Sequence, residues 1–340
     1  MTDEAHDLRT FRFSVQPPFV YAPGQFITLM PEIDGTKVRR NYTISSSPSR
    51  PLQIAITVKK AADGFVSRWL HDCLRIGDQL AARGPNGRFQ LGAAGDNDRL
   101  LLLSAGSGVT PMISILRFIA DTDMGRDVVF HHSARSVRDM PYLSELALLK
   151  RQLGERLKVS WNLTGGETAD DAIAAASNHV IHAGRLDATI LRDICPDLSE
   201  RTVFCCGPAG FRATARSLCE AWQPAPPRAF LEESFGADGD GQELPPIGSY
   251  SVTFRRSGKL VAGGGTTTIL AAAREAGIEL RSDCEAGICG TCRCTVSEGD
   301  WRIAANPADR ECSVLSDEEK SAGVVLACST SPIGAVTVDL

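Results

Sequence analysis

Cys284-Glu285-Ala286-Gly287-Ile288-Cys289-Gly290-Thr291-Cys292, followed at a distance by Cys328, decides the reading of this chain. The spacing is C-x4-C-x2-C with a remote fourth cysteine, the ligand pattern of a plant-type [2Fe–2S] cluster. Thiolates are soft ligands that suit such clusters. Three of them on one tight loop need small residues between, and Gly287 and Gly290 let the backbone wrap closely. A structural zinc site is the first alternative, but it usually brings a second C-x2-C or a His pair, and none follows Cys328. A disulfide framework is the second. Cys284, Cys289, Cys292 and Cys328 are therefore read as cluster ligands, with Cys294 and Cys312 as ordinary thiols. A cluster of this type moves electrons one at a time, so the rest of the chain should show their source.

Working outward, YSVTFRRSGKLVA from Tyr250 reads as a hairpin and TTILAAAREAG as a helix leading into the cysteine loop. Residues 236–249, GADGDGQELPPIGS, carry Gly, Asp and Pro and almost nothing apolar, and read as a linker. Upstream, RLLLLSAG, DVVFHHSA, LKVSWNL, TVFCCGP and RAFLEES alternate with helical stretches such as MPYLSELALLKRQL and AGFRATARSLCEAW. That alternation predicts an α/β domain with a parallel sheet over 98–235. Residues 1–97 hold short runs such as FITLM and LQIAITVKK between turn signals, and predict a small antiparallel β-barrel. A fourth region, 250–340, carries the cysteines.

Composition narrows the function classes. At 340 residues the chain has room for two or three domains. Its net charge of −5 lacks the basic footprint of a nucleic-acid binder. It has no apolar run long enough to span a membrane, and its acidic N-terminus lacks the apolar core of a signal peptide. Eleven cysteines outside any disulfide pattern read as reduced thiols, which predicts a cytoplasmic protein.

The barrel region carries four ordered elements: Arg40-Asn41-Tyr42-Thr43, Ile56-Thr57-Val58-Lys59, Gly64-Phe65-Val66-Ser67 and Gly84-Pro85-Asn86-Gly87-Arg88-Phe89. Together they resemble the flavin domain of the ferredoxin-reductase superfamily. The resemblance implies that Arg40 meets the flavin phosphate, Tyr42 packs on the isoalloxazine and Thr43 sits near N5. An arginine fork suits a phosphate. It also implies that Thr57, Val58 and Lys59 line the ring, while Gly64, Val66 and Ser67 meet phosphate at a helix start. FAD is the expected flavin, with FMN as the alternative.

Ser104-Ala105-Gly106-Ser107-Gly108-Val109-Thr110-Pro111 follows a predicted strand and opens a helix. Gly106 and Gly108 let backbone amides approach a pyrophosphate, Thr110 is placed to cap the helix, and Pro111 fits its first turn. Cys206-Gly207-Pro208 with Phe211 resembles the superfamily's second nicotinamide motif, which implies that Cys206 lies near nicotinamide C4 and Cys205 is strand core. Ser133 and Arg135 match the segment that meets the adenosine end, and Gly184-Arg185 fits a recurrent pair there. NADH is expected over NADPH; Arg135 and Arg138 read either as 2′-phosphate contacts or as solvated loop charges. Phe235 reads either as a cover for the flavin or as a core aromatic. His131 and His132 read as strand residues.

The order of barrel, α/β domain, linker and ferredoxin-like domain resembles the reductase components of Rieske-type oxygenase systems, including those of phthalate dioxygenase, vanillate demethylase and glycine betaine or carnitine demethylation. The implied chemistry is hydride transfer from NADH to flavin beside Tyr42, Thr43 and Cys206. Single electrons then pass through a β-grasp-like [2Fe–2S] domain to a transiently docked oxygenase. Service to a hybrid-cluster protein or another monooxygenase is the alternative, and a redox-sensing module without turnover is a third reading. Compared with that family the chain starts close to its first motif, so either the true start lies upstream or the first barrel strand is short.

Overall fold

The structure is a computed structural model that describes residues 1–166, 179–235, 248–265, 267–283, 285, 287, 289–303 and 314–340. Most of the expected linker, 236–247, lies outside the described residues, as do Cys284 and Cys312.

The N-terminal strands are β1 (Thr2–Ala5), β2 (Leu8–Ser14), β3 (Phe26–Leu29), β4 (Glu32–Ile33), β5 (Thr36–Lys37), β6 (Arg40–Thr43), β7 (Gln53–Lys59) and β8 (Ala82–Asn86), with helix α1 (Phe65–Asp72) before β8. They form two three-stranded antiparallel sheets, β1-β2-β7 and β6-β3-β8, joined by a bridge between Ile44 and Ile56. Phe11, Ile27, Leu29, Ile44, Ile56, Val58, Val66 and Leu70 fill the space between them. FITLM becomes the central strand of one sheet and LQIAITVKK an outer strand of the other, and their alternate residues close one core. The four-residue β1 pairs with β2 from Thr2↔Thr10 onward.

The parallel sheet has the order β12-β11-β10-β9-β13-β14. Its strands are β9 (Arg99–Ala105), β10 (Asp127–Ala134), β11 (Leu157–Leu163), β12 (Val180–Ala183), β13 (Thr202–Cys206) and β14 (Ala229–Glu233). Among the described residues, the α-helices between them are α2 (Val109–Thr122), α3 (Leu143–Leu153), α4 (Ala188–Ile194) and α5 (Ala209–Glu220). Central β9 explains its own sequence. Leu100 and Leu102 pack into one core with Phe130 and Phe204, while Leu101 and Leu103 pack into the other with Val203 and Cys205. A strand covered on both faces reads as a continuous apolar run.

Barrel and sheet belong to one compact unit, Met1–Phe235. Phe89, at the end of the barrel motif, meets Phe204 of β13 edge-on with ring centroids 5.2 Å apart. A polar seam adds direction to this contact. Tyr142, held at φ 58° in the left-handed region, is buried and donates its hydroxyl to Thr57 Oγ1 at 2.5 Å. Thr57 Oγ1 also contacts the hydroxyls of Thr10 at 2.8 Å and Ser45 at 2.9 Å. Arg117 lies over the Tyr142 ring, 5.2 Å from its centroid, grips Glu145 with two nitrogens at 2.6 and 2.7 Å, and donates to the Ser45 carbonyl at 2.6 Å. Buried hydroxyls satisfied in this way fix one packing arrangement.

The second unit, Gly236–Leu340, is a mixed sheet in the order β16-β15-β19-β17-β18. Its strands are β15 (Ser249–Phe254), β16 (Lys259–Gly264), β17 (Arg293–Ile303), β18 (Val324–Leu326) and β19 (Thr330–Val338). β15 and β16 form the predicted hairpin, and β15 runs parallel to β19. Helix α6 (Ile269–Glu275) is capped by Thr268, whose hydroxyl accepts from Ala271 N at 3.2 Å. Ile269, Leu270, Ala272 and Ala273 bury against Val252, Phe254 and Val336.

Candidate functional site

The site starts where β9 ends. Gly106 takes φ 55°, a left-handed value that glycine adopts without strain, and the 3-10 turn Gly106–Gly108 runs into α2. A Cβ on Gly108 would stand 2.1 Å from the Cys206 carbonyl oxygen and 2.8 Å from Gly207 N. A Cβ on Gly207 would meet the Phe211 ring at 3.0 Å and Ala105 Cβ at 3.1 Å. The two glycine motifs therefore pack directly on each other at the C-terminal edge of the sheet, the usual ligand crevice of open α/β folds. Thr110 does not cap α2: no side chain caps this helix, and the Thr110 hydroxyl donates to the Ser107 carbonyl at 3.1 Å. Thr110 is the second residue of the helix, two positions past the N-cap Gly108, which explains the difference. Pro111 lies in the first turn as expected and is buried with Thr110.

A cleft of about 380 Å³ opens beside this turn. It brings together residues expected from sequence: Lys59 from the barrel and Gly106, Ser133, Arg135, Arg185, Pro208 and Phe211 from the α/β part. It also uses residues that no motif pointed to, among them Asp7, Asp139 and Thr164, and it includes His132, which stands next to Ser133 in the adenosine-end segment. His132 is sealed from solvent, contacts Ser104 Oγ through Nδ1 at 2.8 Å, and leaves Nε2 without a hydrogen-bond partner among the described residues. Burial pushes its pKa down to about 3 and that of His131 down to about 4, so both rings are neutral at pH 7.

Apart from Lys59, the flavin set is not among the residues that line this cleft. On β6, Arg40 is exposed, with Nη1 donating to the Arg39 carbonyl at 2.7 Å. Burial pushes the Tyr42 phenol up to about 12, with the nearby Arg40 charge opposing. Thr43 is buried and its hydroxyl has no hydrogen-bond partner among the described residues. At the start of α1, Ser67 Oγ donates to the Gly64 carbonyl and accepts from Ala61 N, each at 3.3 Å. Val58 and Val66, both 1% exposed, point into the barrel core, so only their backbone groups face outward chemistry. The Thr57 hydroxyl is engaged in the seam.

Cys205 and Cys206 are both sealed, on opposite faces of β13. Cys206 shares the core face with Phe204 and stands in register with Glu233 of β14. Glu233 keeps some residue surface, but its Oε2 is enclosed without a hydrogen-bond partner among the described residues. Burial alone pushes this carboxyl up to about 8. Phe235 is exposed.

In the second unit the thiols converge. Cys292 Sγ lies 3.2 Å from Cys328 Sγ, well beyond a disulfide bond length. Gly287 N donates to Cys328 Sγ at 3.2 Å, Thr291 N to Cys289 Sγ at 3.5 Å, and Cys328 N to Cys292 Sγ at 3.5 Å. The loop reaches this shape through φ values of 52° at Glu285, 75° at Gly287 and 78° at Gly290. Glu285 accepts from Arg274 Nη2 at 2.5 Å, which anchors its left-handed turn to α6.

Three family models match in the order of these structures. Residues 1–91 match the oxidoreductase FAD-binding domain, 102–217 the oxidoreductase NAD-binding domain, and 253–332 the 2Fe-2S iron-sulfur cluster binding domain. Over 353 residues the chain is 35% identical to the glycine betaine monooxygenase reductase subunit of Pseudomonas aeruginosa, covering 99% of this chain and 92% of that protein. The chain belongs to this family of oxygenase reductase subunits.

The reductase is also 32% identical to the stachydrine N-demethylase reductase subunit of Rhizobium meliloti, covering 99% of this chain and 94% of that protein. Its fold matches that of phthalate dioxygenase reductase with a TM-score of 0.65 at 21% identity, over 99% of this chain and 95% of that one. The expected FAD, NAD and [2Fe–2S] groups agree with the matched domains. The residues of the reductase fit them. The unsatisfied Thr43 hydroxyl and the exposed Arg40 guanidinium are the contacts a flavin with a phosphate arm needs. Amide donors aimed at converging sulfurs fit an iron–sulfur cluster. No helix among the described residues is long and apolar enough to cross a membrane.

Proposed function

We propose that this reductase oxidises NADH in the cleft beside Gly106 and delivers the electrons to a Rieske-type oxygenase that docks transiently, in the cytoplasm. The observation that carries the reading is the convergence of barrel and sheet residues on one cleft, Lys59 facing Gly106, Ser133, Arg135 and Phe211. The nicotinamide lies toward Cys206, Tyr42 and Thr43, and the adenosine toward Ser133 and Arg135. When bound, FAD and the [2Fe–2S] cluster convert a two-electron hydride donor into single-electron delivery. The chain's own residues bind and orient. Arg40 and the start of α1 hold the flavin phosphates, with Gly64 and Ser67 at the turn; the backbone of Val58 and Val66 flanks that pocket. Tyr42 presents its face to the ring, and the Thr43 hydroxyl bonds near N5. Gly106, Gly108, Gly207 and Pro208 shape the dinucleotide turn, with Thr110 and Pro111 opening the helix behind it. The cluster is held by Cys284, Cys289, Cys292 and Cys328. Thr57 acts through the seam, positioning the strand that carries Lys59. Oxygenase docking is proposed from the relatives' roles, and electron-transfer encounters of this kind use small interfaces.

An anaerobic visible titration tests the route. Flavin bands and a reddish cluster shoulder that both bleach on NADH addition are expected. Cys289→Ser should keep NADH-driven dye reduction and lose delivery to the oxygenase or to cytochrome c. Undiminished delivery in that variant would sink the route through the cluster.

A further inference from the structure

Two of the three cations that line the dinucleotide cleft, Lys59 and Arg135, are already matched by carboxylates, and the third is Arg185. Lys59 Nζ comes within 3.9 Å of the position a Cβ on Gly106 would take, over the turn that opens α2. That Nζ stands 3.4 Å from Asp7 Oδ2. Arg135 Nη2 stands 3.7 Å from the same Asp7 oxygen and 3.1 Å from Asp139 Oδ1. Asp7 comes from the turn between β1 and β2 of the barrel, and Asp139 from the segment after β10. Their side chains are 20% and 13% exposed, against 67% for Arg135. The carboxylates are thus the more covered partners and the arginine the more exposed one.

Asp139 is also built in from its far side. Ser136 donates to its Oδ2 at 2.6 Å. Burial raises its carboxyl, but the bonds from Ser136 and Arg135 outweigh that and hold it below the usual range, so it stays ionised at neutral pH. His6 closes the group, with Nε2 3.8 Å from Asp7 and Nδ1 3.4 Å from Asp139. The His6 backbone amide donates to the Arg138 carbonyl at 3.3 Å, which ties the barrel turn to the α/β segment.

These contacts bear on one chemical choice. In dinucleotide sites an acidic side chain hydrogen-bonds a free ribose 2′-hydroxyl, whereas a free arginine accommodates a 2′-phosphate. We infer that Asp7 and Asp139 set the nucleotide specificity of this reductase: they neutralise Lys59 and Arg135, so the cleft accepts the 2′-hydroxyl of NADH and rejects the 2′-phosphate of NADPH. The inference rests on the reading of this cleft as the dinucleotide site. A 2′-phosphate here would meet two carboxylates and no uncommitted partner in Lys59 or Arg135. A pyrophosphate is less affected, because the amides of the Gly106–Gly108 turn serve it as well.

Calorimetric binding of 5′-ADP and 2′,5′-ADP to the full chain isolates the 2′-phosphate from the flavin. The wild-type protein should bind 5′-ADP more tightly. Asp139→Asn and Asp7→Asn should each narrow that preference by about tenfold, the scale of removing one charge near the ligand. The NADPH-to-NADH ratio of kcat/KM in dye reduction should rise in parallel, and Asp139→Glu should restore the wild-type ratio. A wild-type preference for 2′,5′-ADP, as a 2′-phosphate held by Arg185 on the cleft wall would give, overturns the inference. An unchanged preference in variants that melt like wild type overturns it too, while leaving the cleft reading intact. No binding of 5′-ADP to the wild-type protein would overturn the cleft reading and the inference together. If Asp139→Asn does not fold, Asp7→Asn on the exposed barrel turn decides.

Discussion

Glu233 shows what a motif leaves out. It stands beside Cys206 in the sheet with an enclosed Oε2 that has no hydrogen-bond partner among the described residues, and burial pushes its pKa up from 4.5 to about 8. The sign of its effect on stability follows. Below its unfolded value the carboxyl is protonated in both states and costs nothing. Between 4.5 and about 8 the unfolded chain releases the proton while the folded one keeps it, so stability falls as pH rises. Glu233→Gln should therefore gain on wild type through this window, by about 2 kcal/mol near pH 8 after allowing for residual solvent access. Denaturation midpoints from pH 5 to 9 measure this, and a pH-independent difference would refute it. The pairings of Asp7 with Lys59 and Arg135 are equally invisible in the sequence, because only the fold brings these distant positions together, whereas Asp139 and Arg135 are four residues apart. The cysteines proposed to hold the cluster are legible for the opposite reason: three of the four lie within nine consecutive positions, in a spacing typical of such clusters.

At the scale of elements, β9 is buried along all but its first residue. Leu102 is fully buried between α2 and the face that receives Phe89. Leu102→Ala should destabilise the N-terminal unit by about 2–5 kcal/mol, the usual cost of a large-to-small core substitution, read as a shift in denaturant midpoint. A loss below about 1 kcal/mol would mean that the site collapses around the smaller side chain. Sequence patterning placed this strand and its neighbours correctly, including DVVFHHSA as Asp127–Ala134 and LKVSWNL as Leu157–Leu163. It gave no signal for the edge strand Val180–Ala183, which is short and partly exposed, so neither alternation nor a long apolar run marks it. Thr110 was misread for a related reason. Helix caps depend on where the first turn closes, and the 3-10 turn moved that point back to Gly108.

At the scale of the whole molecule the chain comprises two compact units, Met1–Phe235 and Gly236–Leu340. A fragment of residues 1–235 should keep NADH-driven dye reduction at close to the rate of the full chain and lose reduction of cytochrome c through the cluster. Loss of dye reduction in a folded fragment would show that the second unit contributes to the first unit's chemistry. The Tyr142 seam has a further consequence, for how such proteins can be recombined. Motif order suggests three interchangeable modules, one each for flavin, nicotinamide and cluster. A nicotinamide module grafted from a relative would have to bring a hydroxyl to the spot where Tyr142 meets Thr57, and an arginine to replace Arg117 at the Ser45 carbonyl. Without them the graft would bury the hydroxyls of Thr10, Ser45 and Thr57 with fewer partners. The workable crossover point in a chimera is therefore the stretch 236–247, and the barrel and its sheet are inherited as a pair.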